Sequence, residues 1–141
     1  VVLLVAGDGP LRAEVERRAG ERVRVLGFRD HAPALLAASD VFVMPSEREG
    51  LSYAVLEAMA ARLALVVSDG PGNPEAVGDA GVVVPFGDAG ALARELADLA
   101  ADPAERERLG AAAQERLLER FTAERMVRET AAIYREVASA P

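Results

Sequence analysis

Cysteine and lysine are absent from this sequence, and histidine occurs once. Without cysteine there is no disulfide and no thiol chemistry, which fits a reducing compartment and leads us to expect a cytoplasmic protein. Without lysine, arginine carries all the positive charge, and 16 basic against 23 acidic residues leave a net charge of −7. That balance argues against a nucleic-acid or anionic-membrane surface, since such contacts are made by basic patches. No apolar run reaches the roughly 18 to 20 residues that span a bilayer. No secretory leader is read, so any membrane association is expected to be peripheral and to come through a further domain. The one histidine, His31, stands at an expected helix start with no serine or paired acid nearby, a poor setting for a general base. No metal site and no cofactor are expected. There is also no internal repeat and no linker.

What is present is ample apolar material, 51% of 141 residues, enough for a single domain over 1–141. The chain alternates regularly. Val1 to Ala6 reads as a continuous apolar strand, followed by a glycine turn and a helix from Leu11 to about Ala19. Val23 to Leu26 is a second strand, and Asp30 is placed to cap a helix running to about Ala38 with Pro33 in its first turn. Val41 to Met44, Leu63 to Ser68 and Val82 to Val84 read as further strands, separated by a helix from Leu51 to Ala61 and a short helical turn from Pro74 to Val77. Apolar, non-alternating strands joined by helices imply a parallel sheet covered on both faces. The fold class expected is therefore α/β, Rossmann-like, with a helical carboxyl-terminal tail. The tail reads as Ala89 to Ala101, Pro103 to about Phe121 and Ala123 to about Ala138, with Asp88, Asp102 and Thr122 as N-caps. Leu92, Leu96 and Leu99 form one apolar stripe and Met126, Ile133, Tyr134 and Val137 another; both are expected to be core.

One stretch, Pro45 to Ala60, has the grammar of a site. A short apolar strand stops at Pro45, a polar turn runs from Ser46 to Gly50, and an apolar helix follows with Glu49 before it and Glu57 within it. The first N–H groups of a helix lack intrahelical acceptors and lie at the positive end of its dipole, so Gly50, Leu51 and Ser52 are placed to offer donors to an anion such as phosphate. Glu57 lies about 9 Å along the axis from Leu51 at ~1.5 Å per residue. Two carboxylates so placed can accept hydrogen bonds from different parts of one extended, hydroxyl-bearing ligand.

This segment resembles the E-x7-E signature of retaining GT-B glycosyltransferases, in particular the large family that holds sucrose-phosphate synthases and bacterial mannosyl- and glucosyltransferases. Gly7-Asp8-Gly9-Pro10-Leu11 is similar to the family's G-x-G-P-L turn, and Val25-Leu26-Gly27-Phe28 to its next strand and loop. Ser39 to Ser46 is similar to its A-D-V-F-V-x-P-S segment, Gly72-Asn73-Pro74-Glu75 to G-x-P-E, and Val84 to Asp88 to its P-x-G-D loop. Each is weak alone, and their order and spacing make the likeness specific over nearly the whole chain. Three departures stand out: Arg62 where the family has glycine, Ala64 where it has proline, and Pro71 in place of the first glycine of a pair.

The resemblance implies a donor-binding domain for a nucleotide-diphosphate sugar. By it, Glu57 meets the ribose hydroxyls, Glu49 the donor sugar, and backbone amides at Gly50, Leu51 and Ser52 the diphosphate. Gly27, Phe28 and Arg29 lie where the family brackets the nucleobase, and Gly7 and Gly9 form the glycine turn. It also implies an Arg and Lys diphosphate clamp and an acceptor-binding domain, both expected upstream of this sequence. On that basis the chain should hold a donor weakly and be inactive alone. The first strand of the family's six-strand order 3-2-1-4-5-6 would likewise be missing. Val1 to Ala6 should then pair directly with Val41 to Met44, or leave open edges that favour self-association. The rival readings are a noncatalytic interaction module, for which the departures speak, and a GT-B nucleotide-sugar epimerase. A paired-carboxylate glycoside hydrolase fits the parallel α/β pattern poorly.

Overall fold

A computed structural model describes residues 1–139. In chain order the elements are β1 (Leu3–Ala6), α1 (Arg12–Arg18), β2 (Val23–Gly27), α2 (Ala32–Ala37), β3 (Val41–Met44), α3 (Tyr53–Ala60), β4 (Ala64–Ser68), α4 (Asn73–Val77), a 3-10 turn (Gly78–Ala80), β5 (Val82–Val84), α5 (Ala89–Ala101), α6 (Pro103–Arg120) and α7 (Ala123–Ser139). The expected α/β alternation is present, and every strand pairing is parallel. The chain divides into two compact units, Val1–Ala38 and the remainder from Ser39.

The strands fall into two sheets, β1-β2 and β3-β4-β5. Direct pairing of Val1 to Ala6 with Val41 to Met44 is therefore not formed. Among the described residues β1 is paired only to β2 and β3 only to β4, so each keeps one edge without a ladder partner.

In the second unit β4 is the central strand, and all its residues are buried. Side chains alternate across a strand. Ala64 and Val66 pack into a cluster with Val84, Leu99 of α5 and Leu109 of α6. Leu65 and Val67 take the opposite face, and α3 and α4 adjoin the strand with Val55, Ala58, Met59, Ala76 and Val77 buried. Each such Val or Leu side chain contributes about 1.5–3 kcal/mol by leaving water. Helices thus cover both faces here, as the continuous apolar strand requires. Asp88 caps α5 by accepting from the Ala91 N–H at 2.8 Å, Asp102 caps α6 from Glu105 at 3.0 Å, and Thr122 Oγ1 accepts from Arg125 N–H at 3.2 Å.

Helix α3 ends in a Schellman arrangement. Leu63 N–H donates to Ala58 O at 3.1 Å and Arg62 N–H to Met59 O at 3.1 Å. Arg62 itself takes the left-handed conformation, φ 59°, that glycine usually supplies. Gly110 of α6 lies against the Arg62 carbonyl, where a Cβ would collide, and Gln114 Nε2 donates to Ala60 O at 3.1 Å. The helix end is held from α6 as well as by its own turn.

Four expectations are corrected. Helix α3 begins at Tyr53, two residues later than Leu51, with Ser52 at the N-cap position. The N-cap position of α2 belongs to His31 rather than Asp30, and no side chain caps it. The stripe on α7 is not core: Met126, Ile133, Tyr134 and Val137 are all exposed and no residue of α7 is buried, because no other element covers that face among the described residues. The first strand is not covered on both faces either. Among the described residues of the first unit only Gly27 is buried, and Leu3 and Leu4 remain 45% and 38% exposed. A two-stranded sheet with short helices has too little surface to cover an apolar strand.

Candidate functional site

The sequence-predicted residues form two groups, each at the carboxyl ends of the strands of its own unit, where ligands of parallel α/β sheets bind. In the first, the loop after β1 meets the loop after β2, with Gly7 N–H donating to Gly27 O at 2.9 Å. Gly7 (φ 134°) and Gly27 (φ 70°) both use conformations that L side chains rarely adopt. Gly9 N–H donates to Asp8 Oδ1 at 2.8 Å, closing the turn. Arg12 holds Asp8 at 2.9 Å and Glu16 at 2.9 Å. Those bonds, to Glu16 first and then Asp8, raise the guanidinium pKa above its ordinary value. The Arg12 Nη1 lies 2.8 Å from where a Gly27 Cβ would stand, so arginine and glycine share one close contact. Phe28 (70% exposed) and Arg29 project into solvent beside this turn. A solvent-facing aromatic ring next to exposed backbone is the kind of surface on which a flat heterocycle can stack.

In the second group the Ser46–Gly50 loop lies against the loop that follows β4. Glu49 N–H donates to Pro71 O at 3.1 Å. Gly70 sits where a Cβ would meet the backbone of Glu47, and Gly72 (φ 92°) where it would meet the carbonyls of Gly50 and Glu49. Only glycine permits this approach of two backbones. The side chain of Glu49 is partly buried, whereas Gly50 and Leu51 are exposed. Ser52 leads into α3, its carbonyl accepting from Leu56 N–H at 3.2 Å, and its side chain makes no cap bond. The helix's first N–H donors accordingly belong to Tyr53 and the residues after it, two positions beyond the expected Leu51. Glu57 stands on the exposed face of α3, about 6 Å along the axis from Tyr53 at ~1.5 Å per residue. Its exposure removes any cost of burying an unpaired carboxylate and leaves the group free to accept from a ligand.

The neighbouring acids are engaged structurally. Glu75 Oε2 accepts from the Gly72 N–H at 3.0 Å and braces the start of α4, and Asp69 Oδ1 accepts from the Phe86 N–H at 2.7 Å. Arg116 closes the other end of α4 by donating to Glu75 O at 2.7 Å and Ala76 O at 2.8 Å. His31 is exposed. Among the described residues no group of three or more His, Cys, Asp or Glu is placed to hold a metal ion, and no helix is long and apolar enough to cross a membrane.

Sequence reasoning gave no role to Arg12, Ser68 or Asn73. Ser68 and Asn73 are buried polar residues; they are hydrogen-bonded to each other, and Ser68 also bonds the Ser46 carbonyl that opens the Ser46–Gly50 loop. The visible signal was a serine ending an otherwise aliphatic strand and an asparagine just before Pro74.

Residues 1–102 match the family described as glycosyl transferases group 1. The chain is 32% identical over 142 residues to N-acetyl-alpha-D-glucosaminyl L-malate synthase of Bacillus anthracis, covering 96% of this chain and 37% of that protein. It is 36% identical over 158 residues to alpha-maltose-1-phosphate synthase of Mycolicibacterium smegmatis, covering 98% and 41%. Among solved structures it resembles sucrose-phosphate synthase from Thermosynechococcus elongatus, with a TM-score of 0.84, 29% identity, and 99% and 39% of the two chains covered. It also shares its fold with Anabaena HepE, crystallised in complex with UDP, with a TM-score of 0.86, 23% identity, and 96% and 41% covered. The chain thus spans about two fifths of the length of the curated relatives it matches. Parallel α/β units with glycine turns at the strand ends, together with a family match over most of the sequence, place the chain among the group 1 glycosyl transferases as a GT-B glycosyltransferase domain.

Proposed function

We propose that this domain binds a nucleotide-diphosphate sugar and serves as the donor half of an enzyme that moves the sugar to an acceptor with retention of anomeric configuration. The observation that carries the reading is the Ser46–Gly50 loop. Its backbone is held against Gly70 and Gly72 so that partly buried Glu49 precedes, and exposed Glu57 follows, the amino-terminal end of α3. Phosphate charge suits the unpaired N–H donors at that helix start, and such preorganised dipoles gain in strength as charge develops on a leaving diphosphate. Glu57 then accepts from ribose hydroxyls and Glu49 from the sugar. The turn formed by Gly27, Phe28 and Arg29, with Gly7 and Gly9, is assigned to the base. The relatives support the class of chemistry, since they include an N-acetyl-alpha-D-glucosaminyl L-malate synthase and an alpha-maltose-1-phosphate synthase, and HepE has been crystallised with UDP-glucose as well as UDP.

The proposal includes no metal and no cofactor. It assigns the acceptor site and the cationic diphosphate clamp to a further domain and upstream segment, so transfer is not expected from residues 1–141 alone. A cytoplasmic location belongs to the same reading. The sequence departures that favoured a noncatalytic module are absorbed by the fold: Arg62 takes the glycine conformation, Ala64 sits buried in β4, and Pro71 supplies the carbonyl that holds Glu49. Calorimetric titration with UDP-, GDP- and ADP-sugars and the matching nucleoside diphosphates tests the reading. Saturable binding of one series, tighter with the sugar attached, supports it, and no binding across the panel would make the domain an interaction module instead. An assay on the full-length protein distinguishes a transferase from an epimerase using the same donor.

A further inference from the structure

A buried polar contact of the second unit lies beneath the loop that bears Glu49. Ser68 and Asn73 are 2% and 1% exposed. Asn73 Nδ2 donates to Ser68 Oγ at 3.1 Å, and the Ser68 hydroxyl donates to the Ser46 carbonyl, with the Met44 carbonyl 3.4 Å away. A serine hydroxyl has a single proton. Once that proton goes to Ser46 O, Ser68 Oγ can only accept from Asn73, which fixes the orientation of the asparagine amide. The hydroxyl so placed ties the end of β4 to the first residue of the loop, and Asn73 holds it in that role by donating to the same oxygen. The Ser46 carbonyl that it grips is the first residue of the loop whose later residues are set by Pro71 O and by the glycines at 70 and 72.

We propose that Ser68 and Asn73 are positioning residues for Glu49: from the buried end of β4 they hold the Ser46 carbonyl and thereby set where the Glu49 carboxylate meets the donor sugar. This rests on the reading of Glu49 as the sugar-facing group. Neither side chain needs to touch the ligand, and the effect is transmitted through three residues of loop backbone anchored at both ends.

The test uses the whole chain and two measurements. In hydrogen exchange, Ser68→Ala and Asn73→Ala should expose the Glu49 amide while the β4 amides of Leu65 to Val67 keep their protection, and Ser68→Thr, which retains the hydroxyl, should behave like the parent. In calorimetry, the factor by which a nucleotide sugar binds more tightly than its nucleoside diphosphate should fall about tenfold in Ser68→Ala, the scale of one lost hydrogen bond. Affinity for the diphosphate itself should not change, and Ser68→Ala added to Glu49→Gln should produce no further fall. Unchanged exchange at Glu49 overturns the proposal. So does deprotection spread equally over β4, which marks a merely structural role, and so does a loosened loop with an intact sugar factor. If the parent chain shows no sugar factor at all, the donor reading fails, and exchange at Glu49 still decides whether Ser68 and Asn73 hold the loop.

Discussion

Strands β1 and β4 are nearly the same kind of sequence, Leu-Leu-Val-Ala against Ala-Leu-Val-Val-Ser, yet in the structure they are opposites. Every residue of β4 is buried, whereas no residue of β1 is. The difference lies in neighbours. β4 is laddered on both edges and has helices on both faces, while β1 has one laddered edge and short helices around it. Apolar composition states what a strand can bury; the number of surrounding elements decides what it does bury.

The largest expected effect breaks or confirms that contrast directly. Leu65→Ala should cost about 2–5 kcal/mol through lost transfer energy and a residual cavity. Leu3→Ala, the same chemical change at a 45% exposed site, should cost less than about 1 kcal/mol. Denaturant unfolding of the two variants gives the comparison, and equal losses would mean that β1 is far better covered than its exposure indicates.

Glycines sharpen the same contrast. Gly72→Ala must place a Cβ both in a left-handed backbone and against the Gly50 carbonyl, so about 1–2 kcal/mol of conformational cost is joined by about 1–3 kcal/mol of overpacking. Gly7→Ala shares the positive φ but meets open space, and only the first cost applies. A thermal melt that ranks Gly7→Ala as the more damaging change would contradict the packing of the Ser46–Gly50 loop on Gly72.

Glu57→Ala tests binding rather than folding. Because the side chain is exposed, stability should hardly move, while affinity for a nucleoside diphosphate should fall by roughly 1.5–3 kcal/mol, the range for hydrogen bonds to a charged group. Unaltered affinity, where the parent binds measurably, would remove the ribose role. A smaller effect is expected from the open edge of β1. Exposed Leu3 and Leu4 beside unpaired backbone groups favour weak self-association, seen as concentration-dependent sedimentation that Leu3→Lys abolishes. A monomer at every concentration would show that edge to be inert.

Legibility in the sequence followed the same division. The strands and helices were readable nearly to the residue wherever apolar period and caps agreed, as with Asp88, Asp102 and Thr122. The start of α3 was not, since Leu51 is apolar but exposed and the true N-cap residue, Ser52, makes no side-chain cap. The α7 stripe was misjudged for the reason β1 was, because periodicity reports amphipathicity and is silent about what covers the face. In the candidate site, Glu49 and Glu57 stood out by residue type and spacing, and the glycine turns by family resemblance. Ser68 and Asn73 could not, since their meaning comes from a contact between segments separated by more than twenty residues in the chain.

The smallest effect concerns a residue that departs from its family and still takes the family's shape. Arg62 occupies the C′ position of a Schellman turn at φ 59°, a conformation that costs an L residue roughly 1–2 kcal/mol relative to the right-handed one. Its exposed ion pair with Glu107 returns at most about 1 kcal/mol, and surface pairs often return nothing measurable. Arg62→Gly removes the strain and that pair together, and also gives the unfolded chain more freedom to lose, an opposing term of about 0.4–1 kcal/mol. The balance should be a gain below about 1 kcal/mol, with the Leu63 and Arg62 backbone bonds kept. Denaturant titration of Arg62→Gly beside Arg62→Ala separates the contributions, because alanine keeps the strain and loses only the side-chain contacts. Glycine should be the more stable of the two by about 1 kcal/mol. If alanine matched or exceeded it, the left-handed turn at the end of α3 would carry no strain, and the departure at position 62 would cost this fold nothing.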